Sequence, residues 1–295
     1  MDICVVGAGK WGSALAHAFS EKNSVKITSK HKRNVSNFVS IADGLQSEFL
    51  VMAIPTQFVR EFMSEHFIDN GQKLLIAAKG IEVSTGKFLN EVYEEFVPSD
   101  RLAFLSGPSF AAEVIKSLPT ALVISSNNLE LAKQFSSAMP TYIRSYSDTD
   151  VVGAEVSGAY KNVIAIAAGV CEGLELGNNA RAALITRGLV EMSRFGEYFG
   201  AKKETFLSLG GAGDLFLTAS SQLSRNFRVG LGLAQGKSVE QILQELGEVA
   251  EGVYTTQAII QIAKEKNIYL PIANEVNLMI KGKSPLDSLK DLLEK

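Results

Sequence analysis

Residues 1–19 read MDICVVGAGKWGSALAHAF, and Gly7, Gly9 and Gly12 stand at the spacing G-x-G-x-x-G. That spacing carries meaning only where a strand ends and a helix begins. Ile3 to Val6 form an unbroken apolar run, as in a strand buried on both faces. Trp11, Ala14, Leu15, Ala18 and Phe19 then recur at intervals of three and four, the stripe of an amphipathic helix. The glycines therefore fall in a strand-to-helix turn. Gly7 can take a backbone conformation closed to other residues, Gly9 lets a pyrophosphate approach the main chain, and Gly12 lets helix and strand pack closely. Free N–H groups at the helix start face the anion. A tight turn without a ligand is the alternative; the flanking strand and helix favour dinucleotide binding.

Working outward, further strand-like runs lie at Val25 to Thr28, Phe49 to Pro55, Lys73 to Gly80, Leu102 to Phe110 and Thr120 to Ser126. Helical patterns such as FVREFMSEHF (58–67) and FLNEVYEEFV (88–97) separate several of them. This alternation predicts a mainly parallel sheet covered on both faces, a Rossmann-type α/β domain over residues 1–150. The runs near 120–126 and YIRSYS (142–147) extend the sheet, with their direction left open. From Val151 onward strand signals fade, and stretches such as ARAALITRGLVEMSRFGEYFG (180–200) read as helix. An all-α C-terminal domain over 151–295 follows, its Gly169, Gly173, Gly177 and Gly188 marking helix ends or close helix packing. KGKSPLDSLKDLLEK (281–295) reads as a last short helix. An active site is expected between the domains, at the carboxyl ends of the parallel strands.

The chain has 295 residues, enough for two cores, and a formal net charge of −3, so no global feature calls for nucleic acid or a membrane surface. Cys4 and Cys171 form no disulfide or metal pattern, and His17, His31 and His66 are scattered without ligand spacing. The longest strongly apolar stretch, VIAIAAGVC (163–171), is too short to span a bilayer. No signal peptide is read before the first strand, and a cytoplasmic location is expected.

In this fold an acidic residue usually ends the second strand and binds the ribose hydroxyls of NAD. The corresponding stretch here, VKITSKHKR (25–33), holds no acid. Ser29, Lys30, His31, Lys32 and Arg33 suit a ribose 2′-phosphate, or else form a solvated basic loop. On the first reading Lys30 and Arg33 favour NADP, with NAD also accepted.

Two stretches of the second half could carry chemistry. EVSGAYKNVIAIAAGV (155–170) sets Lys161 and Asn162 in a strongly apolar helix, where a charge is expensive unless paired or functional. LGGAGDLFLTASSQLSRNFRVG (209–230) sets Asp214 in a glycine-rich loop and groups Ser224, Arg225 and Asn226, donors suited to a phosphate or a diol. Residue types alone stop at an NAD(P)-dependent oxidoreductase with a small anionic substrate.

Eight motifs in one order go further: GAGKWGSALA (7–16), AAKGIE (77–82), SGPSFAAE (106–113), YKNVIAI (160–166), NNARAALITRG (178–188), GGAGDL (210–215), SRNFRVG (224–230) and VAEGVYT (249–255). Over essentially its whole length the sequence resembles the bacterial NAD(P)-dependent glycerol-3-phosphate dehydrogenase family. The resemblance implies reversible reduction of dihydroxyacetone phosphate to sn-glycerol 3-phosphate, serving glycerophospholipid synthesis, by a soluble homodimer. It makes Lys161 the general acid/base. Since a free lysine titrates near ~10.4, burial or a neighbouring cation, with Lys79 as the candidate, is expected to bring it toward working pH. Lys79 also resembles the family lysine that contacts substrate and cofactor. By the same resemblance Gly107, Ser109, Asp214, Ser224, Arg225 and Asn226 contact substrate. Trp11, Phe58, Ala111, Arg225, Val249 and Glu251 contact the cofactor, with Phe58 and Phe110 near the nicotinamide. Without the resemblance, Phe58 and Val249 read as core.

The sequence departs from the family pattern at two places. The segment between Arg33 and Phe49 is short, and Lys10 stands where a small or polar residue is usual, beside the expected pyrophosphate. A hydroxy-acid or sugar-acid dehydrogenase, and a dinucleotide-binding sensor without turnover, are the competing readings.

Overall fold

In the computed structural model, which describes residues 1–294, the opening apolar run is β1 (Asp2–Val6) and the striped segment after it is α1 (Lys10–Ser20). There follow β2 (Ser24–Thr28), α2 (Ile41–Gly44), β3 (Phe49–Met52), α3 (Val59–His66), β4 (Lys73–Ile76), α4 (Leu89–Tyr93) and β5 (Leu102–Ser106). The sheet ends through α5 (Ala111–Val114), β6 (Thr120–Ser125), α6 (Leu129–Ala138) and β7 (Ile143–Asp148).

The seven strands form one sheet in the order β2-β1-β3-β4-β5-β6-β7. The first five are mutually parallel; β6 runs antiparallel to β5, and β7 is parallel to β6. Successive side chains of a strand face opposite sides. Ile3 and Val5 accordingly join one core with Leu15, Phe19 and Phe135, while Cys4 and Val6 join another with Met63, Val92 and Tyr93. Two buried faces explain why the central strands read as unbroken apolar runs. β1 and β3 lie side by side but their chain connections diverge, since β2 lies on the far side of β1. Ligands of such sheets bind at that switch point.

The remaining chain is helical: α7 (Val151–Gly173), α8 (Gly177–Tyr198), α9 (Lys203–Phe206), a π-helical turn over Leu209–Gly213, α10 (Asp214–Ala219), α11 (Arg225–Ala234), α12 (Val239–Leu246), α13 (Glu251–Lys266), α14 (Pro271–Ile280) and α15 (Pro285–Glu294). α7 crosses α11 with their backbones almost touching. A Cβ on Gly169 would lie 2.0 Å from the Phe227 carbonyl oxygen, and one on Gly230 would lie 2.0 Å from that of Ile166. Among the described residues no helix is long and apolar enough to cross a membrane.

By contacts the chain divides into two units, the first comprising Met1–Lys79 and Leu89–Ala154, the second comprising Gly80–Phe88 and the chain from Glu155 onward. The division differs from a single break at 150 chiefly in the segment 80–88. Its ends pair through a bridge between Ile81 and Phe88, and the Phe88 ring packs on Phe195 of α8 and on Phe199 at that helix's C-cap. Buried Ile81 and Phe88 thus satisfy their apolar surface among the helices, a preference that strand-helix alternation in the sequence does not register.

Candidate active site

In the first unit, every site residue expected from the sequence lies beyond the carboxyl end of one of the five parallel strands. Gly7, Gly9, Lys10, Trp11 and Gly12 follow β1, Lys30 and Arg33 follow β2, Phe58 follows β3, Lys79 follows β4, and Gly107, Ser109 and Ala111 follow β5. Parallel strands present these ends on one edge of the sheet.

The glycine turn is built for close approach. Gly7 has φ +117°, and a Cβ there would meet the Ala53 carbonyl oxygen at 2.4 Å. On Gly12 a Cβ would lie 1.7 Å from the Gly7 carbonyl oxygen, so helix and turn touch without room for a methyl group. Gly9 differs: a Cβ there meets nothing within 4 Å. It stands as the N-cap of α1 and supplies no side-chain cap. A helix start without a side-chain cap, beside open space, fits a pyrophosphate. The Trp11 indole donates to the Ala77 carbonyl at 3.1 Å, tying this turn to the segment that carries Lys79.

After β2 the chain turns back along the sheet edge, with backbone hydrogen bonds from Ile27 to Asn37 and from Val39 to Ile27. Lys30, His31, Lys32 and Arg33 are all exposed. Lys30 Nζ donates to Glu61 Oε1 of α3 at 3.1 Å, and Glu61 is an acid that the sequence around β2 does not contain. Burial is slight there, and the bonded carboxylate holds the Lys30 ammonium above its ordinary range. Phe58 is 53% exposed at the start of α3, so the reading of it as core is corrected. Gly107 has φ +110° and sits against the backbone of β6, while Ser109 Oγ donates to its carbonyl at 3.2 Å. Ala111 opens α5.

In the second unit Lys161 occupies the middle of α7, a helix buried almost all round. Its Nζ lies 2.5 Å from Asp214 Oδ1 and donates to Thr218 Oγ1 at 3.1 Å; only 10% of the lysine side chain and 1% of the aspartate is exposed. Asp214 does not sit in a loop, as the glycines around it suggested. The glycines form a π-helical turn, capped by Ser208 Oγ on the Gly210 N–H, that runs directly into α10. This places Asp214 and Thr218 one turn apart on one helix face, both at the lysine. Within its own unit Lys161 meets the Asp214 carboxylate and the Thr218 hydroxyl; Lys79, expected as a neighbouring cation, belongs to the first unit.

Tyr160, next to Lys161, has a structural duty. Its hydroxyl donates to Glu191 Oε2 at 3.0 Å, and the Glu191 carboxylate accepts the Ile272 and Ala273 N–H groups at 2.7 and 3.2 Å, at the start of α14. Burial pushes the Glu191 carboxyl above its ordinary range and the Tyr160 hydroxyl well above its own.

The three residues of the Ser-Arg-Asn triplet make different contacts. Ser224 caps α11, accepting from the Phe227 N–H at 3.2 Å. Asn226 is buried: its Nδ2 donates to Asn162 Oδ1 at 2.8 Å and its Oδ1 accepts the Gly252 N–H at 3.0 Å. Only Arg225 is well exposed, with its guanidinium 3.6 Å from Glu248. Val249, 37% exposed, precedes α13, which correction also removes it from the core; Glu251 is the first residue of that helix.

Comparison with known proteins gives this geometry a family. A family model described as NAD-dependent glycerol-3-phosphate dehydrogenase N-terminus matches residues 29–132, and its C-terminal counterpart matches 150–291. The glycerol-3-phosphate dehydrogenase [NAD(P)+] of Sulfurimonas denitrificans is 64% identical over 289 residues, covering 98% of each chain. The chain belongs to the NAD-dependent glycerol-3-phosphate dehydrogenase family. A Nitratiruptor enzyme of the same name is 58% identical over 100% of this chain and 99% of its own. The crystal structure of glycerol-3-phosphate dehydrogenase from Coxiella burnetii superposes with a TM-score of 0.91 at 32% identity, covering 100% of this chain and 99% of that one.

Within this member of the glycerol-3-phosphate dehydrogenase family, the sequence reading missed three partners. Thr218 was open to discovery, standing four residues after Asp214 on one helix. Glu61 and Glu248 had no local signal, since each reaches its cation through tertiary folding.

Proposed function

We propose that this chain reduces dihydroxyacetone phosphate to sn-glycerol 3-phosphate, reversibly, with NADPH or NADH. The observation that carries the reading is the buried Lys161–Asp214–Thr218 group in a chain of this family. Bound dihydronicotinamide supplies the hydride that reaches the carbonyl carbon. Lys161, hydrogen-bonded to Asp214, donates its proton from the ammonium form to the carbonyl oxygen as that carbon is reduced, so the product leaves as an alcohol and the amine is left neutral. In the reverse direction the neutral amine takes the hydroxyl proton. Thr218 and Asp214 fix the amine against two acceptors, which limits its swing and favours a single donor direction.

By the family resemblance Lys79 polarises the carbonyl and meets the cofactor, and Gly107 and Ser109 contact the substrate. Arg225 grips the phosphate as its one well-exposed guanidinium donor, with Ser224 and Asn226 setting the backbone from which it projects. The cofactor would be held by Gly7, Gly9, Lys10, Trp11 and Gly12, with Lys30 and Arg33 toward its adenosine; Phe58 and Ala111, and by family resemblance Val249 and Glu251, are further cofactor contacts. The protein works as a cytoplasmic homodimer and supplies glycerol 3-phosphate for phospholipid synthesis.

The test is the loss of NADPH absorbance, and separately NADH absorbance, on adding dihydroxyacetone phosphate to wild type and to Lys161→Ala. Turnover by wild type and near silence from the variant is expected. Oxidation driven by a 2-keto acid but not by dihydroxyacetone phosphate, or cofactor binding without any turnover, overturns the reading.

A further inference from the structure

β2 and β3 flank β1 in the sheet, and the glycine turn runs off β1 between them. Lys30 follows β2, and Glu61 belongs to the first turn of α3, which follows β3. Their 3.1 Å hydrogen bond therefore links the two sides of the switch point beyond the carboxyl end of β1. In this class of sheet the residue just past the second strand meets the adenosine ribose, an acid there favouring a free 2′-hydroxyl and a cation favouring a 2′-phosphate. This chain carries both at one place, the cation from its usual element and the acid from another.

We infer that Glu61 is a cofactor-selecting residue, whose carboxylate competes with the ribose 2′-phosphate of NADPH for Lys30. The inference rests on the proposed reading of Lys30 at the adenosine ribose. When NADH binds, the pair stays intact and the carboxylate remains an acceptor beside the 2′-hydroxyl. When NADPH binds, Lys30 exchanges one anion for another, and its pairing with Glu61 is given up. Lys32 and Arg33 add positive charge to the same segment, and Glu65 adds a further negative charge toward Lys30. Glu61 thus holds back an otherwise basic site from strict NADPH preference. Both side chains are more than half exposed, so the effect is a tuning rather than a switch.

Calorimetric titration of NADPH and NADH into wild type, Glu61→Gln, Lys30→Met and the double variant tests this. Both positions are exposed, so every variant folds, which a thermal melt checks. For Glu61→Gln, NADPH affinity rises about threefold and NADH affinity stays within about twofold, a size set by the weakness of exposed pairs. For Lys30→Met, NADPH affinity falls and the NADPH-to-NADH ratio falls with it. In the Lys30→Met background the gain from Glu61→Gln disappears. An unchanged ratio in Glu61→Gln, equal gains for both cofactors, or a gain that persists without Lys30 overturns the inference. If Lys30→Met leaves the ratio unchanged, the placement of Lys30 at the ribose falls as well; a lowered ratio there with no response to Glu61→Gln overturns only the role of Glu61.

Discussion

Lys161 and Asp214, 53 residues apart in the chain, meet at 2.5 Å with both side chains buried. Neither charge is tolerable there alone. Lys161→Met removes the cation facing a carboxylate buried in the helical core and costs about 3–5 kcal/mol of stability. Lys161→Met combined with Asp214→Leu removes both charges and costs less than that single change. Urea denaturation of the two variants checks the order. Turnover falls on the order of a hundredfold or more in both, because proton transfer is lost in each.

The three glycines of the first turn separate by experiment into architecture and ligand contact. Gly12→Ala drives a methyl group into the Gly7 carbonyl and lowers the thermal midpoint sharply. Gly9→Ala places its methyl group in open space and leaves the midpoint unchanged, yet weakens NADPH and NADH binding about tenfold, the equivalent of one lost charge-assisted hydrogen bond. Thermal melts with and without cofactor read both effects. Equal destabilisation by the two changes is the contrary result.

Arg225 and Asn226 are neighbours with opposite expected phenotypes. Arg225→Met keeps the fold and raises KM for dihydroxyacetone phosphate. Asn226→Ala leaves the buried Gly252 N–H and Asn162 amide without their partner and costs about 1–3 kcal/mol. Steady-state kinetics beside chemical denaturation tells them apart.

Glu191 gives the stability a pH signature. Its carboxyl titrates higher folded than unfolded, because burial outweighs the hydrogen bonds it accepts. The folded state therefore binds the extra proton, and this contribution to stability is complete below the ordinary glutamate range and lost as pH rises through the raised value. Glu191→Gln removes that slope. Denaturation midpoints of both proteins across pH 4 to 8 should separate as pH rises, wild type losing ground to Glu191→Gln; a constant gap contradicts the assignment.

Much of this was legible in the sequence because the informative residues are contiguous. G-x-G-x-x-G between an apolar run and a striped segment defined β1, its turn and α1, and residues read after the strand-like runs lie past strand ends in the sheet. The antiparallel junction of β5 with β6 was not legible, since a buried strand has the same apolar pattern in either direction. Asp214 was misread as a loop residue because glycines favour loops, whereas here a π-helical turn accommodates them. Phe58 and Val249 were ambiguous because an apolar side chain reads alike in a core and in a binding face. Glu61 was invisible for another reason: its partner Lys30 lies 31 residues away and no periodicity connects them.

The excursion of Gly80–Phe88 into the helical unit bears on how this protein can be dissected. A gene cut after codon 150 would still encode Ile81 and Phe88, whose apolar surface is covered by residues of the other product. The excised sheet domain would display that surface as an adhesive tag, and the helical domain would carry a hole where a ring had been. Any split version needs the nine-residue stretch replaced by a short polar connector in one half, and restored as a supplied peptide or a fused segment in the other.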